Sequence, residues 1–199
     1  MDKFDALRAQ ISACDRCGLR SGCTQVVPGE GSEAAVIAFY SDGPGEKEDE
    51  VGRPFMDRTG TFLRDHLRRS KIMQEYAVLL DNTTRCRPPD NRDPAPDEIE
   101  ACWPWTLETL KIIRPRVLVA LGRPALTTVA RKYGFSRQLG QDGIVKLAGA
   151  PIYLEERGFY VYPMFHPSYA VRRNESRREF GAHIEYLRQA IPGWLQRPI

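Results

Sequence analysis

Four short apolar runs, at residues 34–40, 76–80, 117–121 and 159–165, alternate along this chain with stretches whose apolar residues recur at helical spacing. Short apolar runs rich in β-branched residues suit strands buried on both faces, and such strands occur mainly in parallel sheets covered by helices. The alternation predicts an α/β fold, a three-layer α/β/α sandwich with a central, mainly parallel four-stranded sheet. Helices are expected at 3–13, where Phe4, Leu7 and Ile11 share a face, at 58–69, and at 97–112, started by Asp97 with Glu100 three residues on. Two more are expected, from 124 to about 132 with Pro124 in the first turn, and at 177–191. The glycine-rich segment 133–158 has no readable period. No repeat or low-complexity linker interrupts the chain, so residues 1–199 are expected to form a single domain.

A hydrophobic content of 42% with 10% aromatics is that of a globular protein able to bury a core. No apolar run approaches the roughly 20 residues of a membrane span, and the opening Met1-Asp2-Lys3-Phe4-Asp5 lacks the order of a secretory leader. A cytoplasmic monomer is expected, with no membrane partner. The net charge of +3 does not by itself point to nucleic acid. Its distribution is more informative. Arg64, Arg68, Arg69 and Lys71 form one basic cluster, and Arg172, Arg173, Arg177 and Arg178 another. Such clusters are ordinarily solvated helix faces unless other features point to DNA.

Of five cysteines, Cys14 and Cys17 form a C-x-x-C pair, while Cys86 and Cys102 flank a proline-rich stretch. A close pair with two distant thiols is a usual framework for an iron–sulfur cluster or a zinc ion. Disulfides fit less well with an odd count and no leader. Cys23 could replace Cys14 or Cys17 as a ligand, but reads better as a bystander.

The unusual residues gather at the ends of the predicted strands. They are Ser41-Asp42-Gly43-Pro44-Gly45 with Gly52-Arg53-Pro54-Phe55 beyond it, Asp81-Asn82, Gly122-Arg123, and His166-Pro167-Ser168-Tyr169. Glycines and prolines in loops are mostly turn chemistry. In parallel sheets, however, ligands bind beyond the carboxyl ends of the strands, so four such groups would converge on one crevice.

Cys14-x-x-Cys17, Gly43-Pro44-Gly45, Gly52-Arg53-Pro54-Phe55, Asn82, Cys86-Arg87-Pro88-Pro89-x-Asn91-Arg92, Cys102, Ala120-Leu121-Gly122-Arg123 and His166-Pro167-Ser168-Tyr169 together resemble the iron–sulfur, family 4 uracil-DNA glycosylases. The resemblance runs in order from about residue 14 to about residue 190. It implies a [4Fe–4S] cluster on Cys14, Cys17, Cys86 and Cys102, and cleavage of the bond between a nucleobase and deoxyribose in DNA.

That reaction needs the nucleotide flipped into a pocket, because a stacked base cannot be reached. By the resemblance, Gly43 and Phe55 bind the base, Phe55 by stacking, and the Asn82 amide matches the imide edge of uracil but not the amino edge of cytosine. Glu48 matches a position that crowds the methyl group of thymine. His166 fits a neutral donor to the base oxygen as negative charge develops there. Asp42 fits the group that orients or deprotonates the attacking water. Ser168, Val171, Arg172 and Arg173 match the loop that enters the minor groove of DNA, where an apolar wedge and an arginine fill the space left by the flipped nucleotide. Arg173, Arg177 and Arg178 would contact phosphates.

The chain departs from the family at several positions. Ser41-Asp42 stands where the family has Gly-Glu, Asp57 where it generally has Gly, and Ala170-Val171 where it generally has Leu-Leu. These changes leave two alternatives open: a glycosylase acting on another damaged or modified base, and a cluster-bearing DNA-binding protein without catalysis. A relative that traps uracil covalently uses a His in an inserted basic loop. No His lies between His66 and His166 here.

Overall fold

The computed structural model describes residues 2–141 and 143–198. Its strands are β1 (Glu30–Gly31), β2 (Ile37–Ser41), β3 (Val78–Asn82), β4 (Val117–Leu121), β5 (Ile152–Leu154) and β6 (Phe159–Met164), in the spatial order β1-β3-β2-β4-β6-β5. The four expected strands are the parallel core, β3-β2-β4-β6. The sheet nevertheless has six strands rather than four, because β1 and β5 add antiparallel at its two edges. These edge strands have only two and three residues. Runs that short carry no period of their own; their pairing is dictated by β3 and β6.

The helices are α1 (Lys3–Ser12), α2 (Leu19–Gly22), α3 (Glu46–Val51), α4 (Arg58–Arg69), α5 (Ile72–Glu75), α6 (Pro96–Ile113), α7 (Arg123–Tyr133), α8 (Ile144–Leu147), α9 (Pro167–Ala170) and α10 (Asn174–Gln196). Successive side chains of a strand point to opposite faces, and both faces are covered here. Ile37, Phe39, Val117, Val119 and Tyr162 pack with Leu63 and Leu67 of α4 and Phe180, Ile184 and Leu187 of α10. On the other face, Ala38, Tyr40, Leu79, Leu118 and Ala120 pack with Phe4 of α1, Ile113 of α6 and Leu126 and Val129 of α7. Burying an aliphatic side chain of this kind contributes roughly 1.5–3 kcal/mol. This two-faced burial is what makes the strands read as continuous apolar runs.

Two of the expected helices differ in where they start or end. α6 starts at Pro96, and it is Glu98, not Glu100 paired with Asp97, whose carboxylate accepts the backbone N–H of Ala95 at 2.7 Å. Proline suits this first position because its missing donor would have had no helical partner. α10 extends beyond 177–191 at both ends, and α3 forms in a stretch for which the sequence predicts no helix. Among the described residues no helix is long and apolar enough to cross a membrane.

In register, Ser41 lies beside Asn82 and Leu121 beside Met164. The strands therefore end in one row, and the segments that follow them open on the same side.

Candidate active site

A cavity of about 740 Å³ lies beyond that row, lined among others by Asp42, Gly43, Glu48, Phe55, Asn82, His166, Ser168 and Arg172. Residues from four separate strand ends thus meet, as the polar groups in the sequence suggested.

Asp42 follows β2 directly. Its Oδ1 accepts the backbone N–H of Ala125, in the first turn of α7, at 2.9 Å. Thr83 and Thr84 donate their hydroxyls to its backbone carbonyl at 2.5 and 3.2 Å, which fixes where the side chain starts. Burial pushes the Asp42 carboxyl up to about 7, and the Ala125 N–H only partly offsets it. Such a group gains and loses its proton near neutrality.

His166 follows β6 after one residue. Its Nδ1 accepts the backbone N–H of Ser168 at 3.1 Å and lies 2.7 Å from the Ser168 hydroxyl. A neutral imidazole whose Nδ1 accepts carries its proton on Nε2. Burial lowers His166 to about 4, against a smaller opposing effect of Asp57, so the ring is neutral at physiological pH. Gly122 makes room for it: with φ at 89°, a Cβ there would lie 3.1 Å from the His166 Cβ.

The wall carrying Phe55 is held under strain. Phe55 has φ at 56°, a left-handed conformation costly for a bulky residue. Arg64 donates to the carbonyls of Phe55 and Pro54 at 3.1 and 2.8 Å, and Glu30 anchors Arg64 at 3.1 Å. Gly60 packs beneath; a Cβ there would fall 2.2–2.4 Å from Phe55 backbone atoms. Arg64 therefore works inside the fold rather than on a solvated face. Asp57, where the resembled family has glycine, caps α4 by accepting from Gly60 N at 2.6 Å.

Glu48 joins this wall to the loop after β2. Its Oε2 accepts from Gly45 N at 3.0 Å, and its Oε1 accepts from Met56 N and Asp57 N at 2.8 and 3.1 Å. Both oxygens are thus engaged with backbone amides, although the residue also lines the cavity. The next residue, Asp49, accepts from Thr24 N and Gln25 N. α3 therefore ties the cavity to the cysteine-bearing N-terminal segment.

Asn82 is connected to the cysteines by a second route. Its backbone N–H donates to Asp81 Oδ1 at 2.8 Å, and Asp81 Oδ2 pairs with Arg85 at 2.6 Å. Arg85 also donates to Thr106 Oγ1 at 2.5 Å and lies 4.0 Å from Cys102 Sγ. Both members of the pair are buried. Burial alone disfavours the Arg85 charge, but the Asp81 carboxylate and the Cys102 sulfur more than offset it and hold the guanidinium protonated.

Cys14, Cys17, Cys86 and Cys102 line one small cavity with Leu19 and Val26, and Cys23 does not. Cys23 lies against Cys86 instead. The indole N–H of Trp105 donates to Cys14 Sγ at 3.1 Å, and the Arg16 guanidinium sits 4.0 Å from the Trp105 ring centre. Donors aimed at sulfur suit thiolates that carry negative charge. Among the described residues no three metal-capable side chains close around a point as the ligands of one ion would.

Ser168, Val171, Arg172 and Arg173 lie together around α9 and the start of α10, with Arg172 and Arg173 exposed. The structure gives a place at the site to residues to which the sequence reading assigned no site role. Glu30 and Arg64 support the site across 34 residues of chain, Asp81 and Arg85 through a buried pair four residues apart in sequence, and Asn91, Arg92 and Arg123 line the cavity. Asp81 and Arg123 stand in the strand-end groups and Asn91 and Arg92 in the family motif, and the Arg85 charge beside Cys86 is a further signal, whereas Glu30 has none.

Residues 28–188 match the model of the uracil DNA glycosylase superfamily. A type-4 uracil-DNA glycosylase from Thermotoga maritima is 42% identical over 191 residues, spanning 94% of each chain. One from Sulfurisphaera tokodaii is 33% identical over 95% of this chain and 85% of its own. A type-5 uracil-DNA glycosylase from Thermus thermophilus is 34% identical over 56% of this chain. With the family model covering most of its length and relatives this similar end to end, the chain belongs to the uracil DNA glycosylase superfamily.

Proposed function

We propose that this protein is a monofunctional DNA glycosylase that flips uracil out of DNA and hydrolyses its N-glycosidic bond, leaving an abasic site. The observation that carries this reading is the convergence of Asp42, Phe55, Asn82 and His166 on one cavity. Its relatives named as uracil-DNA glycosylases over nearly the whole chain support the same substrate.

In this reading Phe55 offers its ring to the flipped pyrimidine, a contact worth roughly 1–3 kcal/mol by analogy with single-strand binders. Asn82 pairs with the imide edge. As the bond between the sugar C1′ and the base nitrogen breaks, the electron pair leaves with the base, and negative charge grows on its oxygen. His166 then donates from Nε2–H, a hydrogen bond that strengthens as the charge develops. Asp42 orients water toward C1′ and takes its proton as the new C–O bond forms. Glu48 acts by holding the Gly45 and Met56–Asp57 backbones at their spacing. Ser168, Val171, Arg172 and Arg173 meet the DNA.

Cys14, Cys17, Cys86 and Cys102 would hold a [4Fe–4S] cluster. The four thiols line one small cavity, and the Trp105 indole N–H donates to Cys14 Sγ, as suits thiolate ligands. When bound, the cluster would cross-link the segment between α1 and α2, the loop after β3 and α6, a structural role, since hydrolysis of the glycosidic bond transfers no electrons.

Strand-cleavage assays on oligonucleotides carrying uracil, hypoxanthine, xanthine or 5-hydroxymethyluracil test the substrate. Uracil release by the wild type, abolished in Asn82→Ala without loss of affinity for undamaged DNA, is the expected result. Release of another base in preference to uracil overturns the uracil assignment, and release of none overturns the enzyme.

A further inference from the structure

Beside the candidate active site lies a second groove, of about 330 Å³, between α4 and the start of α10. The ridge dividing the two cavities is formed by the first turn of α4 and the loop after α9. Asp57, Thr59, Ser168 and Arg172 line the active-site side, while Arg58, Thr61 and Val171 line the groove side. The groove floor is aromatic: the Phe62 and His66 rings lie 4.2 Å apart between centres. Its rim is basic, with Arg58, Arg69 and Arg177, and Arg177 reaches 5.9 Å from the Phe62 ring centre. Asp65 also lines the groove, but its carboxylate is matched by Arg68 at 3.0 Å. Among the described residues none of the three rim arginines forms an ion pair, whereas Arg64 and Arg68 of the same helix do. Arg58 and Arg69 are exposed about three helical turns apart on α4.

We propose that this groove holds the sugar–phosphate backbone of DNA beyond the flipped nucleotide, with Arg58 and Arg69 as phosphate-binding residues. This rests on the reading that the loop around Val171 meets DNA. Once Val171 enters the helix from the ridge, the strand leaving the base pocket must pass over one flank of that ridge. Arg123 and Arg172 line the active-site flank, and the groove flank adds three arginines without an ion pair among the described residues, Arg58, Arg69 and Arg177, around an aromatic floor. Arginines about three turns apart on one helix can reach separate phosphates of one strand without reading sequence, and their contribution appears as released counterions. The Phe62 and His66 rings, tilted 44° to each other, supply ring surface for deoxyribose.

The test is the salt dependence of affinity for a duplex carrying a stable abasic-site analogue, which cannot turn over. Arg58→Gln/Arg69→Gln is compared with the wild type and with Lys111→Gln/Arg188→Gln. The control removes equal charge near the opposite end of the sheet, where Lys111 pairs with Glu108 and Arg188 with Glu75. The slope of log affinity against log salt should become shallower by about two in the groove variant, one for each lost phosphate contact, and stay at the wild-type value in the control. At saturating uracil duplex kcat should change less than about twofold, because the loss lies in binding held equally before and during reaction. A wild-type slope in the groove variant, or an equal loss in the control, overturns the groove. Failure of the wild type to release uracil strikes the enzymatic reading and leaves the binding measurement intact.

Discussion

The backbone N–H of Ser168 reaches Nδ1 of His166 at 3.1 Å, so the imidazole is presented with its proton on the nitrogen that faces away from that bond. Because burial lowers the ring to about 4, it remains a neutral donor through the physiological range. His166→Ala should lower kcat about 100–1000-fold, equivalent to roughly 2.7–4 kcal/mol, as loss of a preorganised donor does elsewhere. Single-turnover release from uracil duplex measures it. A loss below about tenfold would assign charge stabilisation to another group.

Asp42 predicts the pH profile. Its carboxyl is pushed up to about 7, and water is oriented by the ionised form, so release should rise with pH through about 7. Asp42→Asn should retain measurable activity and lose that rise, because water attack on a nearly formed cation needs little base assistance. Asp42→Glu should increase uracil release if the longer carboxylate is better placed.

The same group predicts a stability difference of opposite sense. Its folded-state value lies above its ordinary 3.8, so its contribution to stability is full below about pH 4 and lost as pH rises through about 7. Asp42→Asn, which mimics the protonated form, should match the wild type in denaturant titrations near pH 4. It should exceed it near pH 8 by on the order of 1–4 kcal/mol.

Glu48→Gln keeps the size of the side chain but replaces one acceptor with a donor, setting it against backbone N–H groups that donate. With three amides depending on that carboxylate, the variant should lose about 1–3 kcal/mol of stability. Its kcat/KM should fall about tenfold or more through misplacement of Phe55. If Glu48 instead acts by crowding the base, the variant will gain activity on thymine while its stability holds, and the two measurements separate these outcomes.

Protein purified without oxygen should be brown, with about four irons per chain. Cys86→Ala or Cys102→Ala should lose iron and stability together, and Cys23→Ala should keep the iron despite its contact with Cys86. One zinc and no colour would overturn the cluster.

What the sequence made legible follows from how locally each feature is encoded. The parallel core was readable because β2, β3, β4 and β6 are covered on both faces, and the position of Asp42, Asn82 and His166 at the cavity because each stands at the end of such a run. α3 was not, since Glu46–Val51 is mostly acidic and is ordered by Glu48 and Asp49 reaching amides elsewhere in the chain. Arg64 sits in a basic cluster that looks like a solvated face, and only the fold brings Glu30 and the Phe55 carbonyl to it. The left-handed conformation of Phe55 has no marker in a bulky aromatic residue.

The buried pair of Asp81 and Arg85 limits how this part of the chain can change over generations. A substitution at either position alone strands a charge in a dry interior, at a cost of about 3–5 kcal/mol, comparable to much of the stability of an ordinary domain. Simultaneous replacement by apolar residues of similar volume is often neutral, yet here it would also take the acceptor from the Asn82 backbone. Descendants of this sequence can therefore exchange surface arginines one at a time, but positions 81 and 85 change together or remain as they are.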